Sequence, residues 1–176
     1  MNEPETALSA DVCVMGAGPV GGSLACRLAA AGVKTVVVDR AALPPMEHPA
    51  FDGRAYAISA GSRRLLDESG VWDKLPEPAQ PIQESWVTDG RVGRPASRLF
   101  LHFDHRELGP DTGPFGWMVE ARGLRVALNG HMPTLSDLRV LAPARASVER
   151  RADGVTVRIA DGSEIACRVV IAAEGR

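Results

Sequence analysis

Three glycines, Gly16, Gly18 and Gly21, stand at G-x-G-x-x-G spacing in Gly16-Ala17-Gly18-Pro19-Val20-Gly21, and Asp39 follows about twenty residues later. Each glycine has its own use in gripping a pyrophosphate. The first allows a tight turn, the second lets backbone approach phosphate oxygens, and the third lets the following helix pack close to the preceding strand. The whole loop, with Ala17, Pro19 and Val20, is the candidate phosphate-binding segment. A helix starting there presents unpaired N–H groups and about half a positive charge. A carboxylate at Asp39 can accept from both hydroxyls of a ribose, and a charge-assisted bond of that kind contributes about 1.5–3 kcal/mol. It would repel a 2′-phosphate. Arg40 stands beside it and joins the candidate set. The pattern specifies the ADP half of an adenine dinucleotide and leaves FAD and NAD both open.

The elements that must position these residues are legible around them. Asp11 to Met15 is a short apolar run that stops at glycine, as a buried parallel strand does. Val20 to Ala31 is rich in Ala and Leu, with Val20, Leu24 and Leu28 four residues apart and Gly32 as a stop. Lys34 to Val38 is β-branched and reads as a second strand, completing a βαβ unit over residues 11–40. Three prolines predict a loop from Ala41 to Pro49. Ser59 caps a predicted helix through Ser69, with Ile58, Leu65 and Leu66 on its inner face and Gly70 ending it. Strands are predicted at Ser85–Thr88, Leu99–Phe103 and Phe115–Glu120, with a turn at Asp89-Gly90 and a helix over Leu124–Met132. The runs Ala146–Arg150, Val155–Ile159 and Glu164–Arg168, parted by Asp153-Gly154 and Asp161-Gly162, predict a three-stranded antiparallel meander, and Val169–Ala172 a strand returning to the parallel sheet.

Composition narrows the class further. A chain with 45% hydrophobic and 24% charged residues folds around a core, and a formal net charge of −2 gives no global attraction to nucleic acid. The acidic N-terminus has no secretory pattern, and no apolar run reaches the ~20 residues of a membrane span, so the expected address is the cytoplasm. Cys13, Cys26 and Cys167 are odd in number and form no C-x-x-C pair, which predicts buried packing groups. His102-Phe103-Asp104-His105 reads as a solvated turn and no metal site is expected; Arg63-Arg64 reads as a solvated helix face. Hydrolytic chemistry has no support, since G-x-S-x-G is absent.

Three further segments are similar to the flavin-dependent aromatic hydroxylases of the p-hydroxybenzoate hydroxylase type, and within them to the branch that hydroxylates ubiquinone precursors. Asp52-Gly53-Arg54-Ala55-Tyr56-Ala57-Ile58-Ser59-Ala60-Gly61-Ser62-Arg63-Arg64-Leu65 resembles D-x-R-x-x-A-L-S-x-x-S-x-x-L, with Gly70-Val71-Trp72 after it. Gly116 to Leu128 resembles G-x-x-V-E-N-x-x-L-x-x-A-L, with Ala121 in place of the usual Asn or His. Val169 to Arg176 stands where that branch has V-V-G-A-D-G-x, with Glu174 in place of Asp. The resemblance covers nearly the whole chain. It implies an α/β, Rossmann-like fold of the glutathione-reductase type with a parallel sheet, the meander and part of a second mixed sheet.

By the same resemblance the dinucleotide is FAD, and residues 1–176 are the N-terminal portion of its domain, with substrate-side strands over 83–120, the meander over 144–168 and the returning strand over 169–176. Arg54 would face the flavin and phosphates, Arg122 or Arg125 would reach the dinucleotide, and Glu174 and Gly175 would lie near the pyrophosphate and ribose. The implied reaction is hydroxylation of an aromatic, prenylated phenol by O₂ through a flavin C4a-hydroperoxide, with NADH or NADPH as reductant. A lipid-like substrate would put the work at a membrane surface. The family's G-D-x-x-H motif is expected beyond Arg176, so the chain is expected to continue naturally and to turn over poorly by itself. Two alternatives are another FAD-binding oxidoreductase, of halogenase or isoprenoid reductase type, and a non-catalytic dinucleotide-binding module.

Overall fold

The apolar run ahead of the glycines forms β1 (Leu8–Met15), followed by α1 (Pro19–Ala30) and β2 (Thr35–Val38), in a computed structural model that describes residues 8–43, 53–109, 112–152 and 154–175. The strands β1 and β2 are parallel, in register from Val12 opposite Thr35 to Met15 opposite Val38. The buried stripe of α1 is Gly21, Gly22, Ala25, Cys26 and Ala29 rather than the Val20, Leu24, Leu28 row that signals the helix. Val20 is 74% exposed, because the helix crosses so close to its strand that only small side chains fit beneath it. Gly32, at φ 78°, ends the helix, donating to Ala29 O while Val33 donates to Leu28 O. The loop predicted over 41–49 lies outside the described residues from Pro44 onward.

After it come β3 (Ala55–Ser59), α2 (Ala60–Glu68), a 3-10 turn at Trp72–Lys74, β4 (Gln80–Ile82), β5 (Glu84–Thr88), β6 (Phe100–Asp104), β7 (Gly116–Glu120) and α3 (Ala121–His131). Ser59 caps α2 as predicted, its Oγ accepting from Ser62 N at 3.2 Å. The inner face is narrower than expected: Leu66 is buried, whereas Leu65 is 55% exposed. Arg64 is exposed as expected, whereas Arg63 is half-buried. Its guanidinium carbon lies 5.0 Å and 4.6 Å from the ring centroids of Trp72 and Trp117, so α2 is clamped to the turn and to β7 by cation–π contacts. The turn predicted at Asp89-Gly90 falls instead at Arg91–Arg94, where Arg94 N donates to Arg91 O at 3.0 Å and Gly93 supplies the positive φ of 80°.

The last third forms β8 (Leu138–Leu141), β9 (Ala146–Arg150), β10 (Val155–Ile159) and β11 (Glu164–Ala172). With no glycine or proline to break it at Arg168, the meander's last run and the returning run are one nine-residue strand. β11 pairs antiparallel with β10 over Glu164–Cys167 and parallel with β1 from Ile165 opposite Leu8 to Ala172 opposite Met15. The main sheet is therefore continuous, in the order β8-β2-β1-β11-β10-β9. One face packs Val14 and Val37 against the three helices, and the other packs Cys13, Met15, Val36 and Val38 with Val157, Ile159 and Ile165 of the meander. A second sheet, β3-β7-β4, is antiparallel in its described pairs, and β5 with β6 forms a separate two-stranded ribbon.

Candidate functional site

The turn from β1 into α1 is fixed by contacts that only glycine permits. Gly16 has φ 107°, its N–H donates to Val38 O at 2.7 Å, and a Cβ there would fall 2.5 Å from the Ala173 carbonyl oxygen. A Cβ on Gly21 would lie 2.0 Å from Gly16 O, so the helix has reached its closest approach to the strand. Gly18 differs from both: nothing lies within 4 Å of its missing Cβ, which opens on space. It is also the N-cap residue of α1, and no side chain caps that end or places a carboxylate in its first turn. Open backbone at a positive, uncapped helix end is an arrangement that receives a phosphate.

Asp39, at the end of β2, is the hub of this end of the sheet. Its Oδ2 accepts from Ala17 N at 2.8 Å and its Oδ1 from Ala41 N at 2.9 Å. Its own backbone N donates to Leu141 O and its carbonyl accepts from Ala144 N, which ties in the connection after β8. A cleft of about 350 Å³ opens beside it, within the range of small-ligand sites, about 300–1,000 Å³. Its walls come from the ends of four strands: Met15 ending β1 and Gly16 after it; Val38 ending β2 with Asp39 and Arg40 after it; Ala144 and Arg145 ahead of β9 with Ala146 opening it; Glu174 and Gly175 after β11. β2 lies on one side of β1 and β11 on the other, so the cleft stands at the carboxyl ends of the parallel strands where the strand order reverses.

Gly16, Asp39, Arg40, Glu174 and Gly175 are thus brought together from opposite ends of the chain, with Ala17 bonded to Asp39 and Gly18, Pro19, Val20 and Gly21 opening the adjoining helix. Arg54 and Arg122 do not line that cleft. They neighbour each other instead, because Ala121 N donates to Arg54 O at 3.0 Å and Ala55 sits opposite Glu120 in the second sheet. Arg145 is a wall of the cleft that motif reading misses. The signal for it is Leu138-Arg139-Val140-Leu141, a short strand-like segment with one charged residue, between Pro133 and Pro143, which delivers Arg145 to the same edge as Asp39.

Other chemistry is less served. Burial pushes the thiols of Cys13 and Cys26 up to about 12 and raises that of Cys167, so all three stay protonated. His102 lies 3.2 Å from Glu84, while Asp104 pairs with Arg106, whose guanidinium holds the carboxyl well below the usual carboxylate range. Among the described residues no cluster of His, Cys, Asp and Glu could hold a metal ion.

Comparison with known proteins points the same way as the cleft. A family model for an FAD binding domain matches residues 9–176. Ubiquinone hydroxylase UbiL of Rhodospirillum rubrum is 42% identical over 168 residues, covering 95% of this chain and 37% of that protein. Ubiquinone hydroxylase UbiM of Neisseria meningitidis is 29% identical over 173 residues, covering 96% of this chain and 36% of its own. Among solved structures, the Diels-Alderase PyrE3 aligns over 94% of this chain and 32% of its own with a TM-score of 0.66 at 27% identity. The p-nitrophenol 4-monooxygenase PnpA of Pseudomonas putida shares the fold at a TM-score of 0.68 and 20% identity, over 96% of this chain and 42% of its own. The chain spans just over a third of the length of the two ubiquinone hydroxylases, 37% and 36%.

Proposed function

The chain belongs to the FAD binding domain family, and from that premise we propose that it is the cofactor-gripping part of a flavin monooxygenase that hydroxylates the ring of a prenylated phenol in ubiquinone biosynthesis. The observation that carries this is the cleft at the Asp39 edge, taken with 42% identity to a ubiquinone hydroxylase along 95% of the chain. The overall reaction takes one phenol, one O₂, one NADH or NADPH and a proton, and gives the hydroxylated ring, the oxidised nicotinamide and water.

The residues fit the adenosine and pyrophosphate end of FAD. A carboxylate offers about four lone-pair positions; two on Asp39 are taken by Ala17 and Ala41, which leaves two for the ribose hydroxyls. Gly18 and the first turn of α1 receive the pyrophosphate, while Arg40 and Arg145 flank the nucleoside and Glu174-Gly175 closes the opposite wall. Arg54, just ahead of β3, and Arg122, in the first turn of α3, are brought near one another by the bond from Ala121 N to Arg54 O and are assigned to the flavin side of the cofactor. When bound, FAD would supply the redox chemistry that ring hydroxylation by O₂ and a reduced nicotinamide requires. Protein groups supply binding, orientation and exclusion of water. A prenylated substrate gives the protein a peripheral place at the cytoplasmic face of a membrane; no helix among the described residues is long and apolar enough to cross one.

Purification and absorbance test the first half of the reading. The protein is expected to be yellow and to release FAD on denaturation, identified by chromatography; a colourless protein that retains NAD would overturn it. The second half is tested with a prenylated phenol, NADPH and O₂ on a protein extended to the full length of its ubiquinone hydroxylase relatives, where a product heavier by one oxygen atom is expected; simple reductant oxidation without product counts against it, and residues 1–176 alone should give little or no product.

A further inference from the structure

The ribbon β5–β6 has two unlike faces. Strand register puts Trp86, His102, Phe100 and Glu84 on one, where the Trp86 ring stacks on His102 with centroids 4.0 Å apart and meets Phe100 at a 45° tilt with centroids 4.8 Å apart, and Glu84 Oε2 accepts from Trp86 Nε1 at 3.2 Å. That face is mixed aromatic and polar, and its rings remain open to solvent, with Trp86 57% and Phe100 54% exposed. The other carries Val87, Leu101 and Phe103, about half exposed, and runs into Leu99, 85% exposed. Beyond the strands, residues 89–99 hold Arg91, Arg94 and Arg98 against one acid, Asp89, and every one of them is exposed. The three arginine side chains enter no ion pair among the described residues. Val92, fully exposed, stands at the turn between Arg91 and Arg94. The tip is a fixed turn rather than a loose tail, since Ser97 N donates to Asp89 O at 2.8 Å and Thr88 Oγ1 to Ser97 O at 3.1 Å.

We propose that this tip and the apolar face behind it dock on an anionic lipid bilayer, with Arg91, Arg94 and Arg98 among the headgroups and Val92 and Leu99 entering the acyl boundary. Clustered cations and exposed aliphatic groups are the two signals that together hold a protein at such a surface, where either alone gives weak, reversible contact. Arginine suits the place, because its stem lies along apolar surface while the guanidinium stays at phosphate level. A second copy of the chain is a poor occupant, since a symmetric contact through the tip would bring its arginines together. This inference rests on the peripheral placement proposed above and names the surface that makes it.

The test is co-sedimentation of the full chain with vesicles of phosphatidylcholine containing phosphatidylglycerol, and with vesicles of phosphatidylcholine alone. Binding is expected to the first, weaker binding to the second, and a loss at high salt. Changing Arg91→Gln, Arg94→Gln and Arg98→Gln together should weaken binding to the anionic vesicles by on the order of tenfold or more. Val92→Ser with Leu99→Ser should weaken it independently and leave the salt dependence in place. Flavin content and melting midpoint are read on every variant; these positions are exposed, so neither should move. Wild-type binding with undiminished binding in both variants overturns the ribbon assignment and leaves peripheral placement standing. If the wild type ignores anionic vesicles, both fall, while the FAD reading stands on its own spectrum. A wild-type dimer that the variants dissolve, without lipid binding, would show that a second copy covers the face and overturn the proposal.

Discussion

Of the two oxygens on the Asp39 carboxylate, one is bonded to the glycine loop through Ala17 N and the other to Ala41 N, so the side chain holds the site together before any ribose arrives. Asp39→Asn turns one acceptor into a donor that faces an N–H. Affinity for FAD, measured by fluorescence titration of the apoprotein, is expected to fall by about 1.5–3 kcal/mol, or roughly 10- to 150-fold. The melting midpoint should fall with it, and an unchanged midpoint would mean that the two amide bonds do not anchor the loop. The buried thiols give a prediction in pH. The fold prefers protonated Cys13 and Cys26, whose pKa values rise from 9.0 to about 12. Their contribution to stability is therefore full below pH 9 and erodes between 9 and 12, as the unfolded chain ionises while the folded one holds its proton. Cys26→Ala should flatten that part of the curve of urea midpoint against pH; equal slopes in wild type and variant would count against it.

Elements meet through a few side chains whose roles spacing alone does not reveal. Arg63 follows the pattern of an exposed helix position, yet lies over Trp72 and Trp117, whose own rings meet edge to face at 5.8 Å. Arg63→Met keeps the length and removes the charge. A loss of about 1–2 kcal/mol in urea unfolding is expected, with a change in tryptophan emission; Ser59→Ala, which removes only the cap, should cost about 1 kcal/mol and leave the emission alone. The strands β3, β4 and β8 are hard to read for a related reason. Each has five residues or fewer, β4 contains Pro81, and β3 alternates only between exposed and half-buried positions. Their extended form is set by partners far off in sequence, such as β7 for β3 and β2 for β8, and local propensity carries little of it. By contrast β1, α1, β2 and the meander carry their signal locally, in apolar runs stopped by glycine.

Across the whole molecule, the candidate site is an edge shared by four strands, and Gly16 and Glu174 reach it from opposite ends of the chain. The glycine loop, Asp39 and the Glu174-Gly175 turn are each visible as motifs, because each demands an unusual residue type at a fixed place. The contribution of Arg145 is visible only once β8 is seen to pair with β2. Such a site couples binding to the closure of the sheet: a ligand that touches the ends of β1, β2, β11 and the β8–β9 connection binds only the fully paired form. FAD at 100 times its dissociation constant should therefore raise unfolding free energy by about 2.7 kcal/mol, and amide hydrogen exchange should slow along β11 and β8 as well as in the glycine loop. Gly21→Ala supplies the contrast, because its Cβ would press on Gly16 O and force α1 away from β1. That variant should lose flavin and the exchange protection together, whereas Asp39→Asn should lose most of the flavin affinity and keep protection in β11. Protection confined to the glycine loop in the wild type would mean that the cofactor grips one βαβ unit and leaves the rest of the sheet indifferent to it.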